Sequence, residues 1–177
     1  MLNPLSTDLS VMRQSLLFSG LEVVAFNSNR RQPDLKLFEF GKSYHNFPGG
    51  REEHKHLTLL LSGKQNAENW FQQQQNTTFF NLKGNVEAVL SRLGIAQWKV
   101  KPLKDAQFSE GLEYSVQKKQ VVSFGLVSKA IRNHFDIEQE VLYADFNWDT
   151  ILDLVQQNKI KFAPIPKNPA VRRDFAL

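Results

Sequence analysis

The sequence contains no cysteine among its 177 residues, and it has no long uninterrupted apolar run. Without cysteine it can form neither a disulfide framework nor a metal site built on thiolates. A helix that crosses a bilayer needs about 18 or more consecutive apolar residues, and no segment provides them. The first residues also lack the basic and then apolar pattern of a secretion signal. We therefore expect a folded chain with no membrane partner in a reducing, cytoplasmic compartment.

The common motifs of nucleotide binding and nucleophilic catalysis are missing too. There is no glycine-rich loop followed by Lys and Ser or Thr, no dinucleotide fingerprint and no Gly-x-Ser-x-Gly elbow. Among the four histidines, His54 and His56 form one near pair that shares a face of a predicted strand. Glu52 and Glu53 are the only further candidates nearby, which leaves a metal site short of ligands. We therefore assign no catalytic, cofactor-binding or metal-ligating residue.

The excess positive charge is confined to the end of the sequence. Residues 1–158 carry 17 Lys and Arg against 17 Asp and Glu, so the net charge of +4 comes from residues 159–177. Because residues 1–158 carry equal numbers of positive and negative side chains, they do not offer the broad basic surface that binds a phosphate backbone. For residues 159–177, called the tail, two interpretations stay open: a solvated basic linker and a contact with nucleic acid. The contact residues would be Lys167, Arg172 and Arg173.

An apolar helix is predicted between Ser15 and Asn29. Its apolar residues cover most of the helix circumference instead of a single stripe, so the helix must be covered on more than one side. It lies either deep in the core of this chain or with one face against another chain. Leu17, Leu21 and Val24, at helical spacing, are candidate contacts to another chain. Internal packing is the alternative for the same three residues.

The remaining pattern alternates between strands and helices. Strands are predicted for residues 35–44, 56–61, 98–100, 112–116, 121–127 and 141–146, and helices for residues 79–93, 130–135 and 150–155. Because strands often follow one another directly, an antiparallel sheet flanked by helices fits better than a doubly wound parallel sheet. The predicted fold class is α+β, with one domain over residues 1–158.

Two side-chain environments can also be predicted. Glu39 shares a strand face with Leu35 and Leu37, so it needs a hydrogen-bonding partner if that face is covered. Residues 66–76 are rich in Gln and Asn and are predicted to form a loop, which Trp70 and Phe71 would anchor to the core.

Five short segments, taken in the order in which they occur, are more distinctive than any one alone. They are Asn3-Pro4-Leu5-Ser6, Met12-Arg13-Gln14-Ser15-Leu16, Leu37-Phe38-Glu39-Phe40-Gly41, Phe79–Glu87 and Pro169–Ala176. Together they resemble the catalytic-like module of the beta chain of bacterial phenylalanyl-tRNA synthetase, over nearly the whole sequence. Where many members of that family carry His-Pro-Gly-Arg, this sequence has Phe108-Ser109-Glu110-Gly111. We therefore carry no family role over to those positions.

The resemblance implies a fold similar to the class II aminoacyl-tRNA synthetase core, used without catalysis. In this family the alpha chain makes the adenylate from ATP and phenylalanine, and the beta chain supplies structural support and tRNA contacts. The implied holoenzyme is a heterotetramer of two alpha and two beta chains that uses ATP and Mg²⁺, with neither bound by this module. Residues 159–177 would form a basic, proline-containing linker and the start of an anticodon-binding-like domain.

One feature of the sequence supports the absence of catalysis. A working class II site holds the ATP phosphate with an arginine after its second-motif strand, because a fixed cation offsets the charge that develops there. The corresponding strand here runs from Gly41 to Phe47 without an Arg-x-Glu triplet.

Three functions are therefore considered. The first is a non-catalytic fragment of a phenylalanine tRNA ligase beta subunit that supports assembly with the alpha chain. The second is a self-contained RNA-binding module that acts through its basic tail. The third is a free-standing enzyme whose site is too dispersed to be recognised as a motif.

Overall fold

The structure, a computed structural model, describes residues 11–156 of the chain. Within that range the backbone forms six strands and four helices. The strands are β1 (Leu35–Phe47), β2 (Gly50–Ser62), β3 (Lys99–Pro102), β4 (Phe108–Val116), β5 (Lys119–Val127) and β6 (Val141–Asn147). The helices are α1 (Leu17–Ser28), α2 (Phe79–Arg92), α3 (Lys129–His134) and α4 (Trp148–Gln156). None of these four helices is long and apolar enough to cross a membrane.

Some predictions concern residues outside the described range. They include the Asn3–Ser6 segment, the division between residues 1–158 and 159–177, and the tail residues Lys167, Arg172 and Arg173. All of these stay predictions.

The six strands form one antiparallel sheet in the order β1-β2-β6-β5-β4-β3. Helices α2 and α4 cover one face, called the α2 face below, and α1 with α3 covers part of the other, called the α1 face. Alternation along β6 divides the two cores, because Leu142 and Ala144 pack on the α2 face while Val141 and Tyr143 pack on the α1 face. The predicted antiparallel sheet flanked by helices is confirmed.

Helix α1 lies where the apolar pattern predicts it. Leu17, Leu21 and Val24 are fully buried in a core that also contains Leu60 and Tyr143 of the sheet. Internal packing, the alternative considered for these three residues, is thus what the structure shows, because their side chains point at the sheet. A contact with another chain would have to use the opposite side of α1.

Two pairs of strands that follow each other in the sequence form hairpins. Strands β1 and β2 pair along their whole lengths of 13 residues each, so both are longer than the apolar pattern indicated. Gln117 and Lys118 join β4 to β5 with φ values of 50° and 67°. Two successive left-handed residues give a turn whose twist matches that of the flanking strands.

Helix α2 has a recognisable sequence signal at each of its ends. The Oδ1 atom of Asn81 accepts a hydrogen bond from the backbone N–H of Thr78 at 2.8 Å, which caps the first turn. Gly94 follows the helix with a φ of 73°, a conformation that glycine adopts at little cost. The buried stripe of the helix consists of Leu82, Val86 and Leu90.

The loop over residues 66–76 is present, but the prediction that its aromatic residues anchor it is wrong. Trp70 is 96% exposed and Phe71 is 71% exposed. The base of the loop is held instead by an isolated β-bridge between Lys64 and Asn76, whose side chains also share a 2.8 Å hydrogen bond. The aromatic side chains consequently project away from the core.

Candidate functional site

Polar side chains from three neighbouring strands share the α1 face beside helix α1. The register pairs Glu39 with Thr58 and Thr58 with Asp145, which places these side chains in one row across β1, β2 and β6. Alternation along the strands adds Ser43 and His56 to the same face. This hairpin is the one in which the resemblance places the nucleotide-binding strand of a working class II enzyme.

Ser43, His56 and Asp145 form a continuous hydrogen-bonded chain. The Ser43 hydroxyl lies 2.8 Å from Nε2 of His56, and Nδ1 of His56 lies 2.7 Å from Oδ1 of Asp145. The hydrogen bond to Asp145 raises the pKa of His56, although partial burial of the ring opposes the shift. The arrangement has the order of hydroxyl, imidazole and carboxylate found in hydrolytic triads.

The surroundings of Ser43, His56 and Asp145 do not suit hydrolysis. Ser43 is only 1% exposed, so a substrate carbonyl cannot reach its hydroxyl. The N–H of the next residue, Tyr44, already donates to the carbonyl oxygen of Arg13 at 2.9 Å, so it is not free to stabilise an oxyanion. The three residues therefore tie β1 to β6 across β2.

The other histidines near Ser43, His56 and Asp145 are not arranged as a metal site. Nε2 of His45 lies 3.3 Å from the Ser43 hydroxyl, and Nε2 of His54 lies 3.2 Å from a carboxylate oxygen of Glu52. His54 and His56 share a face as predicted, yet they bond to different carboxylates. Between residues 11 and 156, no three His, Cys, Asp or Glu side chains are grouped so that they could hold a metal ion.

An Arg-x-Glu triplet does occur on the second strand of the hairpin, as Arg51-Glu52-Glu53. Arg51 lies opposite Asn46 near the tip of the hairpin, and its side chain is exposed. Counting along β2, Arg51 alternates onto the α2 face, whereas His56 lies on the α1 face. The triplet therefore does not place a cation beside the hydrogen-bonded residues Ser43, His56 and Asp145.

A cavity of about 360 Å³ lies between α1 and strands β1, β2 and β6. Its walls are mainly apolar and include Leu16, Val23, Leu37 and Leu60. Arg13 and Glu39, which are both partly exposed, stand at its opening and form an ion pair at 2.7 Å. Glu39 thus has an ion-pair partner, although its side chain is 42% exposed and the strand face is only partly covered there.

Tyr143 and Thr58 line the buried part of the cavity. The Tyr143 hydroxyl is buried and makes no hydrogen bond of normal geometry within residues 11–156, although the Thr58 side chain lies close enough to lower its pKa slightly. Burial raises the pKa of Tyr143, so the phenol stays protonated. A buried hydroxyl whose polar contact is this weak is unfavourable.

The sequence alone did not identify Asp145 or Tyr143. Asp145 lies 89 residues after His56 and reaches it only through the pairing of β2 with β6. The available signal was a single carboxylate inside the otherwise apolar run of β6, since burial of such a group requires a partner.

Comparisons with known proteins identify the relatives of this chain. It matches the family model described as the phenylalanyl tRNA synthetase beta chain CLM domain over residues 1–148. The phenylalanine–tRNA ligase beta subunit of Bacteroides thetaiotaomicron is 41% identical over 190 aligned residues, and that of Porphyromonas gingivalis is 32% identical over 189. Each alignment covers 100% of this chain and 23% of the relative, so the chain spans about a quarter of their length.

Solved structures share the fold at much lower identity. The crystal structure of pyrrolysyl-tRNA synthetase from Desulfitobacterium hafniense matches with a TM-score of 0.62 and 13% identity. The match covers 81% of this chain and 50% of that one. It confirms the synthetase-like fold expected from the resemblance. By the family model and the identity to its relatives, the chain belongs to the CLM domain family of phenylalanyl-tRNA synthetase beta chains.

Proposed function

We propose that the chain is a non-catalytic, synthetase-like module of a phenylalanine–tRNA ligase beta subunit, and that it supports assembly with the alpha chain. The relatives are named beta subunits, which implies an alpha subunit and tRNA as partners of the whole protein. In this proposal the holoenzyme contains two alpha and two beta chains and uses ATP and Mg²⁺ to attach phenylalanine to tRNA. The module itself contributes shape and a docking surface.

The observation that carries the proposal is the apolar outer side of α1. Phe18 is 44% exposed and Phe26 is 55% exposed, while the opposite side of the same helix is fully buried. We call Phe18, Val23 and Phe26 the α1 surface. Apolar side chains that stay exposed together on a helix are typical of surfaces that another chain covers.

Further contacts favour a preformed docking surface. The Phe18 ring stacks on Phe135, with ring centroids 6.3 Å apart, and the Arg30 guanidinium lies 3.4 Å from the centre of the Phe26 ring. Because these partners restrict both side chains before binding, less conformational entropy is lost when another chain covers them.

The polar face explains why no adenylate chemistry is expected from the module. Arg13 is present on the α1 face, but Glu39 neutralises its charge. Arg51 lies on the other face, and the Ser43 hydroxyl is buried. Exchange of pyrophosphate into ATP in the presence of phenylalanine should therefore not exceed the protein-free blank. Turnover by the purified chain would favour the free-standing enzyme instead.

Copurification tests the assembly proposal directly. The chain should be expressed together with the alpha subunit of the same organism, with an affinity tag on the alpha subunit only. A stoichiometric complex that survives size-exclusion chromatography is expected. Recovery of the alpha subunit without the chain would contradict the assembly role while leaving the family assignment in place.

A second candidate function is RNA binding through the tail. It is favoured by the concentration of all excess positive charge in residues 159–177, including Lys167, Arg172 and Arg173. Binding of tRNA that weakens with salt and disappears on removal of residues 159–177 would support it. If the truncated chain binds tRNA as well as the full chain does, the tail is only a linker.

A further inference from the structure

Strand β1 lies at one edge of the sheet, with β2 on its inner side. Because the two strands are antiparallel, alternate residues of β1 direct their backbone N–H and C=O groups toward β2, and the others direct them outward. The N–H of Tyr44 donates to the carbonyl oxygen of Arg13 at 2.9 Å, and Nε of Arg13 donates to the carbonyl oxygen of Lys42 at 3.1 Å. The outward groups of β1 therefore belong to its even-numbered residues.

Three of these residues, Lys36, Phe38 and Phe40, make no outward backbone hydrogen bond to any residue between 11 and 156. Their side chains share the α2 face, where Phe38 is 72% exposed and Phe40 is 58% exposed. The Phe40 ring lies edge-on to Trp148, with ring centroids 4.9 Å apart. An unpaired strand edge that carries exposed apolar side chains is suited to pairing with another strand.

The two edges of the sheet differ in how they are protected. At the far edge, β3 has only four residues, which include two lysines and one proline, all features that prevent pairing between edges. Strand β1 has 13 residues and no proline. Its lysines are already in contact with neighbouring residues, because Lys42 forms an ion pair with Glu53 and Lys36 donates to the carbonyl oxygen of Gln65. The edge of β1 therefore lacks the protection that β3 has.

The exposed residues of β1 are complementary to a second copy of β1 that runs antiparallel to it. When the two Phe38 residues lie opposite each other, Lys36 of each copy lies opposite Phe40 of the other, and every outward group is paired. The two Phe38 rings then meet, and each Lys36 ammonium lies beside a Phe40 ring. A register centred on Glu39 would bring two carboxylates together, and one centred on Leu37 would leave Phe40 beyond the end of the opposite strand.

We propose that the edge of β1 from Lys36 to Phe40 pairs with the same edge of a second copy of this chain, about a two-fold axis at Phe38. The two sheets then join into one continuous antiparallel sheet, and the same surface is used on both copies. This contact uses the backbone of β1, whereas the proposed docking of the alpha chain uses the α1 surface. The inference consequently does not depend on assembly with the alpha chain.

Sedimentation equilibrium of the full 177-residue chain, from about 5 to 300 μM, tests the proposal. The average mass should rise with concentration from 20.4 kDa toward twice that value. Phe38→Lys places two ammonium groups together at the axis and should weaken the dimer at least about ten-fold. Val100→Lys is the matched control, because Val100 is 53% exposed on β3 at the opposite edge, and it should leave the dimer unchanged.

Disulfide crosslinking tests the register independently. The chain has no cysteine, so Phe38→Cys and Val100→Cys each introduce a single thiol. In the proposed register the two Cα atoms at position 38 lie about 5.5 Å apart, which a disulfide can span. Mild oxidation, at a concentration at which the unmodified chain is dimeric, should convert most of the Phe38→Cys variant to a covalent dimer and leave the Val100→Cys variant monomeric.

Three results would overturn the proposal. The first is a chain that stays monomeric up to about 300 μM. The second is an equal effect of Phe38→Lys and Val100→Lys on the dimer, or equal crosslinking of the two cysteine variants, which would place the contact elsewhere. The third is a mass that continues to rise beyond two copies, which would show open-ended association instead of a two-fold contact.

Discussion

His56 donates a hydrogen bond from Nδ1 to the carboxylate of Asp145 at 2.7 Å, although 89 residues separate them in sequence. The bond crosses from β2 to β6, and Ser43 extends it to β1. It thereby links the two hairpin strands to the strand at their side. The same geometry predicts that the stability of this part of the sheet depends on pH.

The stability of the chain should depend on pH through this pair. Asp145 raises the pKa of His56 above its ordinary value, Asp149 adds to the shift and Arg13 opposes it. A raised pKa in the folded state means that the protonated ring stabilises the fold below about pH 6.5, and that this contribution is lost as the pH rises through the folded-state pKa. Solvent screening of the pair limits the expected effect to about 1 kcal/mol.

Urea denaturation of Asp145→Asn and the unmodified chain, at about pH 5.5 and pH 8.5, measures this contribution. The variant should be less stable than the unmodified chain at the lower pH, and the difference should shrink at the higher pH. A difference that is the same at both values would show that the charge on His56 does not contribute.

Removal of the Tyr143 hydroxyl should not destabilise the free chain. The hydroxyl is buried and makes no hydrogen bond of normal geometry in residues 11–156, where Thr58 is its weak polar neighbour, so Tyr143→Phe should raise the free energy of unfolding by about 1 kcal/mol. Tyr114→Phe is the matched control, because the Tyr114 hydroxyl donates to Glu87 at 2.8 Å. The control should lower stability by about 1 kcal/mol, as measured by chemical denaturation. Equal losses in both variants would mean that Tyr143 has a partner.

Replacing either of two glycines with alanine should change the free energy of unfolding, in opposite directions for the two positions. A Cβ at Gly125 would meet the carbonyl oxygen of Glu110 and lie 2.8 Å from the Cα of Gly111, both backbone atoms of the neighbouring strand. Gly125→Ala should therefore lower the free energy of unfolding by about 2 to 3 kcal/mol. Gly84 lies inside α2 with open space around it, so Gly84→Ala should raise stability by about 0.5 to 1 kcal/mol. Thermal denaturation of both variants checks the signs, and a neutral Gly125→Ala would disprove the close approach of β4 and β5.

Local signals made much of the fold predictable. The cap of α2 at Thr78, its glycine stop at Gly94 and the Gln117-Lys118 turn each depend on residues close together in sequence. The order of the strands does not depend on such local signals. Strand β6 lies between β2 and β5, and its pairing with β2 joins residues that are far apart in sequence.

The candidate site was harder to predict, since its groups come from separate elements. Arg13 precedes α1, Glu39 lies on β1 and Tyr143 lies on β6, and only the folded sheet brings them to one cavity. The prediction that Trp70 anchors its loop to the core is wrong for a related reason. A large apolar side chain usually marks a buried contact, but backbone pairing between Lys64 and Asn76 already holds that loop.

The affinity of the chain for the alpha subunit, measured by titration for the Phe18→Ser/Phe26→Ser double variant, tests the assembly account most directly. Phe80→Ser is the matched control, because Phe80 is 77% exposed on α2, away from the α1 surface. The double variant should bind at least about ten-fold more weakly than the unmodified chain, since large apolar residues dominate interfaces, and the control should bind normally. If the double variant binds as tightly as the control, the α1 surface is not where the alpha subunit docks.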